Sequence, residues 1–401
     1  MIGPFLCRFL ESLEILRSYK KGPIILPTNV QCTHFNRRCR IVVAEGPTPA
    51  YNPQLMSDGW KNILLIKPSS LGDIVMALPA LSALRRSFPA ARLTWLVRPA
   101  FAPLIEGHPH LDEIVHFDRK TLGKAWYHPG AMKALVGLIA DLRRRRFDAA
   151  LDLQGLLRTA SLAWLSGCPH RFGPVWGREF AHHFYTTTVP RRIEWVHVID
   201  YYMKLVEAMG GRDLSVEFVM PRKPDAVAST AALLAQNDLT PLGYAVLIPG
   251  SAQVSKCWPA ERFAALADRL ASDHGLAVVA IGSQAERVMV EQVQTHAACR
   301  IVNLAGETSL PQLVEVLRSA RLVVANDTGP GHIAAALGRP LVMMFSWSNP
   351  LRVGPYRRPE CVVGRDIEAR GMAVRSTDRA HAIDYITPDE VYTRAAEQLG
   401  L

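Results

Sequence analysis

Short apolar runs alternate with amphipathic stretches along most of the chain, and the alternation begins at residue 61. Residues 62–67 (NILLIK) have the length and apolarity of a buried strand; the turn P-S-S-L-G-D follows, then a helical stretch to about residue 88. Pro79 lies inside that stretch and predicts a kink or a split, because proline removes a backbone donor and crowds the preceding turn. Strands are predicted over 93–97, 113–117 and 148–153, and helices over 130–146 and 194–209, the last ended by Gly210-Gly211. Pro221, Pro224 and Pro241 with small polar residues between them predict a joint over 221–241. The pattern then resumes, with strands over 244–248, 277–281, 301–304, 322–325 and 341–345. Helices are predicted over 259–272, 284–296 and 310–319, with another running to 337. A last helix over 391–399 has a clean start: Thr387 caps, Pro388 takes the first helical position and Glu390 completes a capping box.

Alternation of this kind implies parallel sheets with helices on both faces. Two such runs on either side of a Pro-rich joint predict an α/β protein of two Rossmann-like, doubly wound domains facing a central cleft. The predicted boundaries are 56–225 for the N-terminal domain, 226–241 for the linker, 242–385 for the C-terminal domain and 386–401 for the final helix.

Residues 1–55 break the pattern. Ile2, Phe5, Leu6, Phe9, Leu10, Leu13 and Leu16 recur as on one helix face, with Glu11 and Glu14 interrupting and Arg17, Lys20 and Lys21 following. Two readings stay open: a non-native extension from an early start codon ahead of Met56, or an interfacial membrane helix.

The 401 residues, 49% hydrophobic and 20% charged, suffice for more than one core and exclude global disorder. No run of 18 apolar residues occurs, so no membrane-spanning helix is expected. Seven cysteines without a C-x-x-C pair argue against a disulfide framework or a zinc site and point to a reducing, cytoplasmic setting. The net charge of +10 favours anionic partners, while no nucleic-acid-binding motif appears. The Arg143-Arg144-Arg145-Arg146 run reads as a solvated helix end or as a contact to an acidic substrate or lipid surface.

Ligands of open parallel sheets bind beyond the carboxyl ends of the strands, and three predicted strand ends carry unusual polar sets. No G-x-G-x-x-G follows the first strand and no Walker A motif is present, which argues against a nicotinamide dehydrogenase and a P-loop NTPase. The first set is Ser69-Ser70-Leu71-Gly72-Asp73, where Asp73 in a first helical turn is either a cap or a base able to take a proton from a hydroxyl. The second is Pro249-Gly250-Ser251 with Lys256 and Trp258, where Lys256 is a surface lysine or a point charge for a diphosphate. The third, Asn326-Asp327-Thr328-Gly329-Pro330-Gly331-His332, opens a helix directly after a strand and suits phosphate, with Asp327 facing a sugar hydroxyl or capping the helix. Gly282-Ser283 with Glu286, and Gly306-Glu307-Thr308, are weaker candidates to hold a nucleoside. No H-E-x-x-H and no carboxylate cluster suggest a metal.

Together these sets resemble the heptosyltransferases of glycosyltransferase family 9. The stretches that carry the likeness are KPSSLGDIVMALPAL (67–81), DLQGLLRTA (152–160), PGSAQVSKCWPAERF (249–263), NLAGETSL (303–310) and NDTGPGHIAAALGRP (326–340). The first two look closer to heptosyltransferase I than to II. The likeness covers roughly 61–400 and has no counterpart for the N-terminal extension. It implies a GT-B fold with an acceptor-side N-terminal domain and a nucleotide-sugar-binding C-terminal domain. It implies inverting transfer from ADP-L-glycero-β-D-manno-heptose to the Kdo-bearing inner core of lipopolysaccharide. The nucleotide-sugar is a substrate, and no cofactor or metal enters the chemical step. By motif, Asp73 resembles the general base, and Lys256 and Ser251 look like diphosphate contacts. Thr328, Gly329 and His332 match the donor-phosphate loop, Asp327 a residue facing the donor sugar, and Glu286 and Thr308 nucleoside contacts. Ser70, Gly72, Lys120 and Arg178 fall near positions that hold the acceptor. The resemblance also implies a cytoplasmic, monomeric enzyme at the inner face of the inner membrane, with no nucleic-acid partner.

Two departures stand out. Pro330 takes a position often held by leucine, and Ser346-Trp347-Ser348 replaces the commoner G-P-[TS] after the last strand. A family 9 enzyme with another donor or acceptor, a GT-B sugar-nucleotide epimerase and a non-catalytic carbohydrate-binding relic therefore stay in play. An epimerase needs an acid on each side of the sugar carbon, and none is assigned. Retention of Asp73, Lys256 and Asp327 argues against a relic.

Overall fold

The computed structural model describes residues 59–192, 196–371 and 373–400. The N-terminal extension, residues 1–55 with the Ile2–Leu16 segment, lies outside the described residues.

In the N-terminal half, β1 (Asn62–Ile66), β2 (Arg92–Val97), β3 (Glu113–His116), β4 (Ala149–Asp152), β5 (His170–Pro174) and β6 (Thr187–Val189) form one sheet in the order 3-2-1-4-5-6. Every pairing in it is parallel. Its helices are α1 (Leu71–Ser87), α2 (Pro129–Arg144), α3 (Leu157–Leu165) and α4 (Val198–Ala208). The C-terminal half adds α5 (Pro224–Gln236), β7 (Tyr244–Ile248), α6 (Ala260–His274), β8 (Ala277–Ala280), α7 (Arg287–His296), β9 (Ile301–Asn303) and α8 (Leu310–Arg318). It continues with β10 (Leu322–Asn326), α9 (Gly329–Ala336), β11 (Leu341–Phe345), β12 (Val362–Gly364) and α10 (Pro388–Leu399). Its sheet runs 12-11-10-7-8-9, the same connectivity as the first, again all parallel. Strand order reverses between β1 and β4 and between β7 and β10, so each half has its own switch point, where α/β sheets hold ligands.

β1, β7, β10 and β11 are buried on both faces, which is why they read as unbroken apolar runs. α1 does not split at Pro79, as expected from the sequence, but runs unbroken for 17 residues. An internal proline costs about 3 kcal/mol. Ile74, Leu78, Leu81 and Leu84 of α1 are wholly buried, and that burial offsets the cost. Truncating Leu78 or Leu81 to alanine would remove about 2–5 kcal/mol.

The predicted joint is another difference. Residues 211–223 carry no regular structure, but Pro224 sits at the start of α5, which runs to Gln236. A proline at the first helical position starts a helix, and the Ala-rich sequence after it continues one. α3, β5 and β6 were not legible as periodic runs. α4 begins at Val198, capped by the His197 side chain, later than expected; residues 194 and 195 lie outside the described residues. The start of α10 is as the sequence indicated: Thr387 Oγ1 accepts from the Glu390 N–H, and Glu390 Oε2 accepts from the Thr387 N–H. Residues 120–136 belong to a separate compact unit, within which Trp126 and Tyr127 meet edge to face at 4.6 Å. Among the described residues no helix is long and apolar enough to cross a membrane.

Candidate active site

The N-terminal set is built where β1 turns into α1. Ser70 caps α1, and Asp73 lies at the third helical position. Asp73 Oδ2 accepts from the Ser70 N–H (2.9 Å) and the Ser70 hydroxyl (2.6 Å), so the capping role is present. Yet the Asp73 side chain remains 36% exposed, and its other oxygen lies 3.5 Å from Lys67 Nζ. Burial pushes the Asp73 carboxyl up, but Lys67, the two Ser70 donors and His332 outweigh it and hold it below the usual carboxylate range. Cap and ionised, accessible carboxylate are thus the same group.

Behind Asp73 sits a set that the sequence reading did not single out. Lys67 directly follows β1 with a side chain only 4% exposed; its ammonium donates to the Leu153 carbonyl (3.3 Å) and lies 5.5 Å from the Tyr202 ring centre. Burial pulls the Lys67 ammonium down, but Asp73, Tyr202 and Asp152 reverse this and leave it above the ordinary lysine value. Asp152, at the end of β4, is buried and accepts from the Gln154 N–H (2.8 Å), the Gly155 N–H (3.1 Å) and the Tyr185 hydroxyl (2.8 Å). A lysine closing a wholly apolar strand was the signal available in the sequence.

The C-terminal set is built at the second switch point. Asn326 ends β10 and is fully buried; its amide donates to the Pro249 carbonyl (2.8 Å), and its oxygen accepts from the Trp258 N–H (3.1 Å). One side chain therefore holds the loops after β7 and β10 together. Lys256 Nζ meets Asp327 Oδ2 at 2.5 Å, and His332 Nε2 lies 3.5 Å from Asp327 Oδ1. Burial pushes the Asp327 carboxyl up, but His332 and Lys256 hold it far below the usual range. Thr328 caps α9, and its hydroxyl oxygen is buried with no hydrogen-bond partner. An orphaned hydroxyl beside free helix-start N–H groups is what a phosphate oxygen would satisfy.

The two sets meet. A Cβ on Gly72 would lie 2.5 Å from His332 Cδ2, and one on Gly329 would lie 2.7 Å from Leu71 Cδ2. Glycine on each helix lets the starts of α1 and α9 cross this closely, placing Asp73 and the helix-start N–H groups on adjoining helix starts.

The other candidates are distributed as follows. Ser70's hydroxyl is spent on Asp73, and the space beside Gly72 is filled by His332. Glu286 Oε2 accepts from the Ser283 N–H and hydroxyl (both 2.7 Å), and its other oxygen would lie 2.4 Å from a Cβ on Gly250, so Glu286 packs against the loop that carries Ser251. Thr308 follows Gly306, whose φ of +79° belongs to glycine and whose missing Cβ makes room for Gln284. Arg178 is exposed, and its N–H donates to the Gly155 carbonyl (2.8 Å), at the end of the strand that carries Asp152. Lys120 lies in the separate unit of residues 120–136. The unusual Ser346-Trp347-Ser348 turn reaches the lysine loop: Trp347 Nε1 donates to the Ser255 carbonyl (3.2 Å). Buried Arg370 fastens that turn by donating to the Ser346 and Ser348 carbonyls (2.6 and 2.7 Å). Among the described residues no three His, Cys, Asp or Glu side chains cluster as metal ligands.

Two doubly wound halves of equal connectivity, each presenting its polar set at a switch point beside a shared cleft, define the GT-B architecture of sugar-transferring enzymes. Residues 136–383 match the profile of glycosyltransferase family 9 (heptosyltransferase), and the chain belongs to that family. Among its relatives, the lipopolysaccharide core heptosyltransferase OpsX of Haemophilus influenzae is 27% identical over 315 residues, 77% of this chain and 86% of that protein. Lipopolysaccharide heptosyltransferase 1 of Escherichia coli K12 is 28% identical over 309 residues, 75% of this chain and 92% of that protein. The crystal structure of a family 9 glycosyltransferase from Veillonella parvula superposes with a TM-score of 0.73 at 24% identity, covering 84% of this chain and 97% of that one.

Proposed function

We propose that this enzyme transfers a heptose, with inversion, from ADP-L-glycero-β-D-manno-heptose to the Kdo-bearing inner core of lipopolysaccharide. The observation that carries the reading is the half-exposed, ionised Asp73 carboxylate beside the helix crossing that brings in the donor loop. Asp73 takes the proton of the acceptor hydroxyl as its oxygen bonds to the anomeric carbon. The bond to the diphosphate breaks on the opposite face, and ADP leaves with the electron pair. Developing charge on the diphosphate is met by Lys256, the Thr328 hydroxyl, the α9 N–H groups and His332, where preorganised donors stabilise a leaving anion. Lys256 carries three donors, so it can hold Asp327 and a phosphate oxygen together. Glu286 and Thr308 line the nucleoside side, and Arg178 serves the anionic acceptor. In this reading the reaction uses no metal or cofactor, and the chain works as a monomer at the inner face of the inner membrane, to which its net charge of +10 draws it.

A second reading, family 9 chemistry on another nucleotide-sugar, is favoured by the Ser346-Trp347-Ser348 turn that leans on the lysine loop. One experiment separates the two. Purified protein is incubated with Kdo-bearing lipid A and ADP-heptose, or with ADP-, UDP- or GDP-hexoses, and the acceptor is weighed by mass spectrometry. A heptose increment with ADP-heptose alone supports the first reading; an increment from another donor supports the second; no increment with any donor overturns both.

A further inference from the structure

The feature the transfer reaction leaves unexplained is a buried cation behind Asp73. A buried ammonium needs a counter-charge, and losing it is strongly unfavourable. Lys67 is 4% exposed, and Asp73, 3.5 Å away, is its first charge partner. When Asp73 takes a proton, that partner becomes neutral. A Lys67 dependent on Asp73 alone would then oppose the very protonation that a base must undergo.

A second carboxylate resolves this. Asp152 is 1% exposed and lies opposite Ile66 in the β1–β4 pairing, and the Lys67 ammonium donates to the carbonyl of the next residue, Leu153, at 3.3 Å, so the Asp152 carboxylate belongs to the same buried corner as Lys67. Its hydrogen-bond partners, two backbone N–H groups and the Tyr185 hydroxyl, are all neutral donors, and its oxygens accept every one, as those of a carboxylate do. We propose that Lys67 and Asp152 are positioning residues that set the orientation and proton affinity of Asp73, with Asp152 becoming the counter-ion of Lys67 as Asp73 is neutralised. One ammonium and two carboxylates carry a net charge of −1 before proton uptake and zero after it. The neutral arrangement is the one a buried site tolerates. This assignment rests on the reading of Asp73 as the base.

The groups facing Asp73 come from four places: Lys67 after β1, Ser70 on its own helix start, Tyr202 on α4 and His332 on α9; Asp152, at the end of β4, faces Lys67 and Tyr202 behind them. Directions of shift agree with the geometry: Lys67 holds the Asp73 carboxyl down, and Asp73 and Asp152 hold the Lys67 ammonium up against burial. Burial pushes the Asp152 carboxyl up, and its hydrogen bonds from Thr159, Tyr185 and the Gln154 and Gly155 N–H groups work against that rise.

The test is a carboxyl-carbon NMR titration of the full chain, with the Asp73 signal assigned by its loss in Asp73→Asn, alongside the pH dependence of kcat and calorimetry with ADP. Wild type should show no Asp73 titration above about pH 4, the ordinary carboxyl value. Lys67→Met should raise the midpoint by at least about one unit, the usual effect of losing an adjacent opposite charge. The acid limb of kcat should move up with it, and ADP affinity should stay unchanged. If Lys67→Met does not fold, the polar Lys67→Gln reads the same quantity. Asp152→Asn should lower kcat by about tenfold or more through a weaker base, with ADP affinity kept. A Lys67 variant whose Asp73 signal titrates as in wild type overturns the proposal, because a merely structural lysine would lower the melting temperature without moving that midpoint. Unchanged kcat in Asp152→Asn overturns the counter-ion role. A midpoint that moves while the acid limb of kcat stays put upholds the positioning role and instead removes Asp73 as the base.

Discussion

The two halves share one strand connectivity, and each places a lysine–aspartate pair at its switch point, yet the pairs are built in opposite senses. In the N-terminal half the lysine is sealed and the carboxylate is left half-open, at 4% and 36% exposure. In the C-terminal half both partners are enclosed, at 14% and 8%, and held at 2.5 Å. The looser pair leaves its carboxylate free to change protonation. The tighter pair fixes its carboxylate and keeps a cation waiting for an anion. In the proposed reaction the same element of topology thus serves proton transfer on one side and charge reception on the other.

The sharpest way to break this contrast is Asp73→Asn. It should lower kcat by about 10²–10⁴-fold, the usual share of a general base, while ADP binding changes little and the melting temperature falls only modestly, because Asp73 also caps α1 and faces Lys67. Steady-state kinetics, calorimetry and thermal unfolding check it together; a large loss of stability with retained turnover would return Asp73 to the role of a cap.

Asp327→Asn should do the reverse and strike stability first. Removing one partner of a buried pair costs about 3–5 kcal/mol. The Asp327 carboxyl is held below its unfolded value, so its contribution is fully present above the unfolded pKa and is lost as pH falls through the folded one. Urea unfolding should therefore show the full gap between wild type and variant near neutrality and a shrinking gap below about pH 4. A gap that widens in acid would contradict the pairing.

Lys256→Ala should slow transfer by roughly 2–4 kcal/mol in activation free energy, the loss of one preorganised contact to developing charge. It should also weaken ADP in calorimetry. Equal affinity and rate would make the enclosed pair a structural strut alone.

The smallest expected effect is that of Gly72→Ala. Its Cβ would lie 2.5 Å from His332 Cδ2, so the helix starts must separate, at a cost of about 1–3 kcal/mol. Transfer should fall, as Asp73 is drawn away from the α9 start, and ADP affinity should fall with it to a smaller degree, because the displaced His332 lies on the donor loop. A crystal structure of the variant with an unshifted crossing would refute the dependence of the two sets on glycine.

Much of this was legible beforehand because both sheets are parallel and buried, so β1, β7, β10 and β11 appear as uninterrupted apolar runs next to glycine-rich polar turns. The capping box of α10 was readable because Thr387 and Glu390 act within one turn. What escaped depends on partners far along the chain. α1 tolerates Pro79 only because of what packs around it, and α5 lies in a stretch whose prolines suggested a joint. Lys67 and Asp152 are 85 positions apart, and only the pairing of β1 with β4 makes them neighbours. The charge balance around Asp73 is a property of strand order, which local periodicity does not carry.

Asn326 has a mechanical consequence. Its side-chain amide pins the Pro249 carbonyl and the Trp258 N–H, while its own backbone leads into the Asp327–Thr328 turn. The turn after β7, the segment leading into α6 and the turn after β10 therefore share one rivet. Cutting that rivet, as in Asn326→Ala, should therefore loosen the Lys256 loop and the start of α9 together rather than one at a time.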